Sequence, residues 1–424
     1  MILHFVLGYP YSGVALSLCL GGNMKVVLLG GDLNAYAVAV SFHEAYGVKS
    51  TVFCRYLCGI TAGSSIVDVV VEPRLLEDDV GTVTLLRYAR SVSEKPYLVA
   101  CGDWYVSFLD RNRERLKDAF GFLIPSHKML SAVSEKKIFY SLLEKEGLPY
   151  PKTVILSKEG LTIADLLSIG DYPAVLKPSN SVSYYAHPFD GMQKVYFPRT
   201  PKDALSVAER IFASGYEGEL LLQKKIGTDK DGAVAKTLTL LLDTEGRVCR
   251  GVLGEVLVEE TAPGARGNYA AILTRPPDAL TCRLVSFLER IGYTGIANVD
   301  IISDGSGSYI LELNPRQGRS SDYLRAAGIS IANFLVDAID KRKIKTDLSS
   351  KVVFWHAVPI CFFKLRLSPE NQKLVTSLKK HGRITYAFSY KADLSSLRRR
   401  LYVFVHALRR AAALRKGAGR DKRD

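Results

Sequence analysis

Apolar residues recur with strand period in several short runs and with helical period between them. Residues 25–29 (KVVLL) are apolar from Val26 on, as in a parallel strand buried on both faces. Gly30-Gly31-Asp32 turns the chain, residues 34–46 carry helical spacing, and Gly47 stands where a helix ends in a left-handed residue. Residues 51–54 and 97–101 read as further strands, the second running into Gly102-Asp103. Strands alternating with helices predict an open parallel α/β sheet, which binds ligands beyond the carboxyl ends of its strands. Asp32 and Asp103 occupy two such ends and are candidate substrate-binding residues. Capping of the following helix explains Asp32 equally well. The GGD turn is not the GxGxxG of dinucleotide-binding folds.

Beyond residue 125 the pattern changes. Residues 134–146 (SEKKIFYSLLEKE) predict an amphipathic helix containing Lys136, ended by GLPYP. Lys177 ends a short apolar strand, AVL, just before Pro178. A lysine emerging from a core strand suits a point charge held against phosphate oxygens. The polar and aromatic segment 179–190 follows as a candidate cover for a phosphate tail. Residues 219–226 (ELLLQKKI) predict a strand, and 235–243 and 247–258 a hairpin about Glu245-Gly246. Segment 259–268 (EETAPGARGN) is irregular, with Arg266 among small residues. Helices are expected over 282–291, over 321–337 with a break at Gly328, and over 397–416, with a strand pair in 352–363 and no order from 417 on.

The stretch with the most chemistry is 295–319 (GIANVDIISDGSGSYILELNPRQGR). Runs 296–302 and 308–314 flank a Gly- and Ser-rich turn, which predicts a β-hairpin. Strand alternation puts Asn298, Asp300, Glu312 and Asn314 on one face and Val299, Ile301, Leu311 and Leu313 on the other. Counting from a turn centred on Ser306 sets Asp300 opposite Glu312. Facing carboxylates repel unless a cation lies between them, and hard oxygen donors suit Mg²⁺. Arg316 follows at once. A solvated face of an ordinary hairpin has the same pattern, so the upstream lysines matter.

Composition narrows the class. The 424 residues are 47% hydrophobic and 24% charged, as in a globular protein of several structural units. Seven cysteines without a CxxC pair predict neither a zinc site nor a disulfide framework and point to a reducing cytoplasm. Residues 1–23 are apolar but lack the basic start of a secretory signal, and glycines and Pro10 interrupt them. They read as a leader or a mis-assigned start, with Met24 directly before the first strand. The net charge is +14, and from Leu397 on ten basic residues stand against two acidic ones. This tail reads first as solvated charge and second as a contact with an anionic membrane. A nucleic-acid arm ranks below both, because no aromatic platform accompanies the charge.

Lys136, Lys177, the strand end at 223–226, Asp300, Glu312, Asn314 and Arg316 occur in an order and spacing that resemble the ATP-grasp superfamily. The acid followed by acid-x-Asn-x-Arg is the most specific part. The stretches GDLNAYAVAVSFHEAYGVKS, ACGDWY, LKPSNSVSYY, FPRT and ELNPRQGRSS resemble the D-aspartate ligases of Gram-positive cell-wall synthesis. The resemblance implies an α/β and α+β architecture: an ATP-grasp fold over 126–345, split near 218, preceded by an open parallel-sheet, Rossmann-like domain over 24–125. A C-terminal extension over 346–396 and the basic helix and tail, 397–424, complete the chain.

The resemblance also implies roles. Lys136 and Lys177 would contact ATP phosphates, and the backbone of Gln223, Lys224 and Ile226 would meet the adenine edge. The family often has Glu where Gln223 stands. Asp229 or, by preference, Asp231 would hold the ribose. Asp300, Glu312 and Asn314 would hold Mg²⁺, for which Mn²⁺ substitutes. Arg316 would face the transferred phosphoryl group or the acyl intermediate, with Arg266 as helper. The implied activity is ATP-dependent ligation of an amino-acid carboxylate to an amine, with D-aspartate as donor and the stem-peptide lysine of a peptidoglycan precursor as acceptor. Another donor or acceptor, or a non-catalytic ATP-binding regulator, are the alternatives.

Overall fold

The computed structural model describes residues 24–227, 232–260 and 268–420. Asp229, Asp231, Arg266 and the segment 1–23 lie outside them. Two compact units emerge, and neither is a continuous stretch of chain. The first holds the chain up to Ser126, Thr237–Asn298 and everything from Asn314 on, and the second holds His127–Lys236 and Val299–Leu313.

In the first unit, β1 (Val26–Leu29), β2 (Ser50–Cys54), β3 (Val67–Val71) and β4 (Tyr97–Ala100) form a parallel sheet ordered β3-β2-β1-β4. The chain moves outward from β1 to β3 and then returns to the other side of β1. The order therefore reverses between β1 and β4, the place where open α/β sheets bind ligands. Helix Leu33–Tyr46 follows β1, capped by the Asp32 carboxylate on Asn34 N and closed by Gly47 at φ 70°. Its residues from Leu33 to Phe42 are buried without a polar face. Helix Ile331–Ile339 covers it from the far side, and Ser41 Oγ lies 3.2 Å from Ser330 Oγ and accepts from Ala332 N. Strand β3 and helix Asp78–Arg90 carry no clear sequence pattern. Val70 and Val71 are exposed at the sheet edge, and the helix buries only Gly81, Thr82 and Leu85.

The second unit contains β5 (Thr153–Leu156), β6 (Ala174–Pro178) and β7 (Leu220–Lys224), antiparallel in the order β5-β7-β6. Helix Pro201–Ala213 packs Ala204, Ala208, Ile211 and Phe212 into a core with Leu156, Leu176 and Leu222. The helix expected over 134–146 is Lys136–Lys145, with Lys136 as its first residue, and a separate helix, His127–Ser134, precedes it.

A long sheet comprises β8 (Val234–Leu242), β9 (Val248–Glu259), β10 (Tyr269–Arg275), β11 (Gly295–Asp304), β12 (Gly307–Asn314), β13 (Asp347–Leu348), β14 (Phe354–His356) and β15 (Ile384–Tyr386). Its order is β12-β11-β8-β9-β10-β14-β15, with β13 beside β9. The expected strand pair in 352–363 is one short strand followed by a 3-10 turn, Ile360–Phe362, because β14 pairs with β10 and β15 instead of folding back.

Two further expectations change. The hairpin turn is only Gly305-Ser306, and Ser303 Oγ meets Ser308 Oγ at 2.8 Å. The count across the strands is therefore one residue off symmetry about Ser306. Burial on β12 does not alternate either: Ile310 and Leu313 are buried and Leu311 is not.

The C-terminal segment is not a solvated tail. Helix Leu397–Arg420 runs through the region expected to lack order, up to Arg420. It buries Val403, Ala407, Ala411 and Leu414. Its Arg399 is 1% exposed and donates from Nε to Asp393 Oδ2 at 2.7 Å. Asp393 also accepts from Tyr36 Oη, Ser64 Oγ and Ser65 N. The Arg399 guanidinium lies 5.2 Å from the Tyr36 ring and 5.3 Å from that of Tyr402. A fully buried carboxylate with four donors thus joins the C-terminal helix to the first sheet.

Candidate active site

In the second unit, three lysines converge on one carboxylate. Lys136, at the N-terminus of its helix and 9% exposed, sets Nζ 3.1 Å from Glu312 Oε2. Lys177, half-buried on β6, and Lys194 also act on Glu312. Lys136 above all, with Lys177 and Lys194, holds the Glu312 carboxyl far below the ordinary carboxylate range despite its burial. Burial pulls Lys177 down to about 8; Glu312 and Asp300 oppose this, and Lys136 and Lys194 add to it. Both nominated acids therefore act on one ammonium, although the turn count no longer sets them directly opposite. Lys194 escaped sequence reasoning, for it follows no strand or motif.

Among the described residues no group of three His, Cys, Asp or Glu side chains is placed to hold a metal. Asp300 and Glu312 are two carboxylates, and Asn314 ends β12 two residues after Glu312. Such a set fits Mg²⁺, which takes one or two carboxylates plus phosphate oxygens and water in place of an all-protein cage. The lysines fit a polyphosphate, since three ammonium groups outnumber the acids that face them.

The adenine-edge candidates divide. Gln223 is 2% exposed, and its Nε2 donates to Tyr140 Oη at 2.9 Å and Thr153 Oγ1 at 2.8 Å. Those hydroxyls give their own protons to the carbonyls of Leu311 and Pro151. Two saturated donors therefore need an NH₂ group, which accounts for Gln where Glu is common. The Lys224 amide donates to Lys152 O at 2.9 Å, and its side chain pairs with Asp171. Ile226 is buried just past the strand. The 179–190 segment is partly anchored: helix Ser181–Tyr185 buries Tyr184, which donates to Gln193 O or meets Tyr196 Oη.

In the first unit, Asp103 and Arg316 form a bidentate pair, Nε to Oδ1 at 2.8 Å and Nη2 to Oδ2 at 2.7 Å. The residues were nominated separately, and only the fold brings them together. Gln317 clamps this segment, donating from Nε2 toward Ala100 O while its own carbonyl accepts from Asn34 Nδ2 at 2.8 Å. Asn298 is not on the solvent face; its Oδ1 accepts from Thr237 and Thr239, and a Cβ at Gly318 would lie 2.9 Å from it. Asp32 caps its helix and also faces Arg319, which no motif flagged. Burial raises the Asp32 carboxyl above its usual range, with Arg319 opposing.

Comparison with known proteins settles the family. No protein-family model matches the chain. It is 32% identical over 384 residues to a D-aspartate ligase of Enterococcus faecium (strain Aus0004), covering 87% of this chain and 91% of that one. The chain belongs to the D-aspartate ligase family of ATP-grasp enzymes. The fold is similar to that of the biotin carboxylase domain of 2-oxoglutarate carboxylase from Hydrogenobacter thermophilus, solved with MgADP and bicarbonate (TM-score 0.59, 14% identity, 78% of this chain and 73% of that one). It is also similar to an ADP complex of N5-carboxyaminoimidazole ribonucleotide synthetase (TM-score 0.57, 15% identity, 80% and 82%). By family it is a carbon–nitrogen ligase, and both of these solved neighbours hold ADP, the first with magnesium.

Two outcomes follow from the second unit. Gln223→Glu places a buried carboxylate against two hydroxyls whose protons are committed, and costs about 1–3 kcal/mol in urea unfolding. Lys177 is charged below pH 8 and neutral above, so nucleotide affinity measured by calorimetry falls as pH rises from 7 to 9. In Lys177→Arg, whose charge persists, that fall disappears; a fall that persists there refutes the assignment.

Proposed function

We propose that the chain ligates D-aspartate, through its β-carboxyl group, to the side-chain amine of the third stem-peptide residue of a peptidoglycan precursor. The observation that carries the phosphate end of this reading is the lysine trio around Glu312. Kinship with the enterococcal D-aspartate ligase supports the donor and acceptor. ATP and a nucleotide-linked precursor put the reaction in the cytoplasm.

In the proposed reaction the donor carboxylate attacks the γ-phosphorus in line, and ADP leaves with the bridging electron pair. Lys136 and Lys177 hold the phosphates, Lys224 O and Ile226 N face adenine, and Asp231 holds the ribose. Asp300, Glu312 and Asn314 hold Mg²⁺, which supplies charge neutralisation on the triphosphate. The amine then attacks the acyl carbon, a C–N bond forms, phosphate leaves, and the amine releases a proton. Arg316 stabilises the developing oxyanion, with Arg266 as its helper. Asp103 aims the Arg316 guanidinium by its two hydrogen bonds.

The C-terminal helix adds a partner to this reading. It turns Arg399 and Val403 inward and leaves Leu397, Leu401 and Leu408 exposed among exposed Arg398, Arg400 and Arg409. That face suits the anionic surface of the plasma membrane. Among the described residues no helix is long and apolar enough to cross a membrane.

With ATP, Mg²⁺ and a UDP-linked muramyl pentapeptide, a screen of amino acids should give phosphate release and product mass gain with D-aspartate alone. Glu312→Gln should abolish this while circular dichroism stays native. Absence of turnover with every donor, or full turnover in Glu312→Gln, overturns the reading. Serine at Leu397, Leu401 and Leu408 together should lower co-sedimentation with phosphatidylglycerol vesicles and spare turnover. Unchanged co-sedimentation would remove the membrane from the scheme, and removing the whole helix is no substitute, because it packs into the core.

A further inference from the structure

A second group of charges stands in the first unit, at the reversal of strand order between β1 and β4. Asp32 follows β1, and Asp103 follows β4. Arg316 and Arg319 follow β12, and Glu260 follows β9. The C-terminal helix adds Arg410. Glu260 is 4% exposed, with Arg319 Nη1 3.5 Å from its Oε1 and the Arg410 guanidinium paired to the same oxygen. Arg319 Nε stands 3.8 Å from Asp32 Oδ2.

The two Arg319 separations exceed hydrogen-bonding range. The carboxylates hold this guanidinium by charge and leave its donors to be used. Arg319 and Arg410 each keep part of the side chain open to solvent. Burial pulls Arg410 down to about 10, so an additional anion beside it is stabilised. Asp32 spends one acceptor on its helix cap and keeps others. The inventory is two guanidinium groups on one side and a half-exposed carboxylate on the other, at a ligand-binding position of the sheet. Guanidinium forks match a carboxylate, and a carboxylate matches an ammonium group.

We infer that Arg319 and Arg410 bind the carboxylate of the amino-acid donor that is not activated, and that Asp32 accepts the donor's ammonium group. Glu260 is the positioning residue that keeps the two guanidinium groups together. The inference rests on the ligase reading for the identity of the donor, and it gives the C-terminal helix a part in substrate selection.

The test uses the full chain with D-aspartate and with succinate, which has the same two carboxylates and no amine. Arg410→Gln and Arg319→Gln should raise the KM for D-aspartate roughly tenfold or more, with the KM for ATP changed less than about twofold. Asp32→Asn should weaken D-aspartate and leave inhibition by succinate as it was. An unchanged donor KM in Arg410→Gln overturns the site while the ligase reading stands. Equal loss of donor and ATP affinity in all three variants also overturns it, as general damage. If the parent protein turns over no donor, calorimetric binding of D-aspartate decides. Binding lost in the variants keeps the site and discards the ligase reading, and absence of binding discards the site.

Discussion

The second unit is organised around one uneven electrostatic contact. Glu312 is a single carboxylate acted on by Lys136, Lys177 and Lys194, in a place where water screens little. Three ammonium groups surround one carboxylate, with Asp300 as the second acid acting on Lys177. Burial already weakens the Lys177 charge. At the proposed nucleotide site, a triphosphate would relieve that repulsion.

The other unit balances its charges differently. Asp103 with Arg316 is a matched pair, whereas Glu260 faces both Arg319 and Arg410 and leaves one positive charge in excess there. Matched sets orient groups. The Arg316 fork is fixed by two short bonds to Asp103, whereas Arg319 is held loosely. Gln317 and Asn34 keep the whole segment against the ends of β1 and β4. A rigid arginine suits oxyanion stabilisation, and a loosely held one suits exchange of a carboxylate ligand. The buried Arg399–Asp393 pair brings the C-terminal helix into the same unit.

Much of the site was legible because its parts lie at element ends that punctuation marks. Gly30-Gly31, Gly102 and Pro178 flag the ends of β1, β4 and β6, so Asp32, Asp103 and Lys177 stood out. The acid-x-Asn-x-Arg run stood out as a compact motif, although burial along β12 does not alternate. Lys194, Arg319, Glu260 and Arg410 were not legible. Each is an ordinary charged residue in its local sequence and acquires a role only from residues far away in the chain. Edge strand β3 and helix Asp78–Arg90 were missed for a related reason, since little of either is buried.

The sequence by itself determined most of the strand and helix order, the acids and two of the lysines nominated for the nucleotide site, and the family, because periodicity and short motifs are local properties of the chain. Only the tertiary structure decided that Arg316 is aimed by Asp103, that Gln223 serves two saturated hydroxyls, and that the basic C-terminus is a packed helix. Those outcomes depend on which distant donors and acceptors share a buried volume. A buried polar group must find a partner wherever the fold provides one, and linear spacing does not encode that choice.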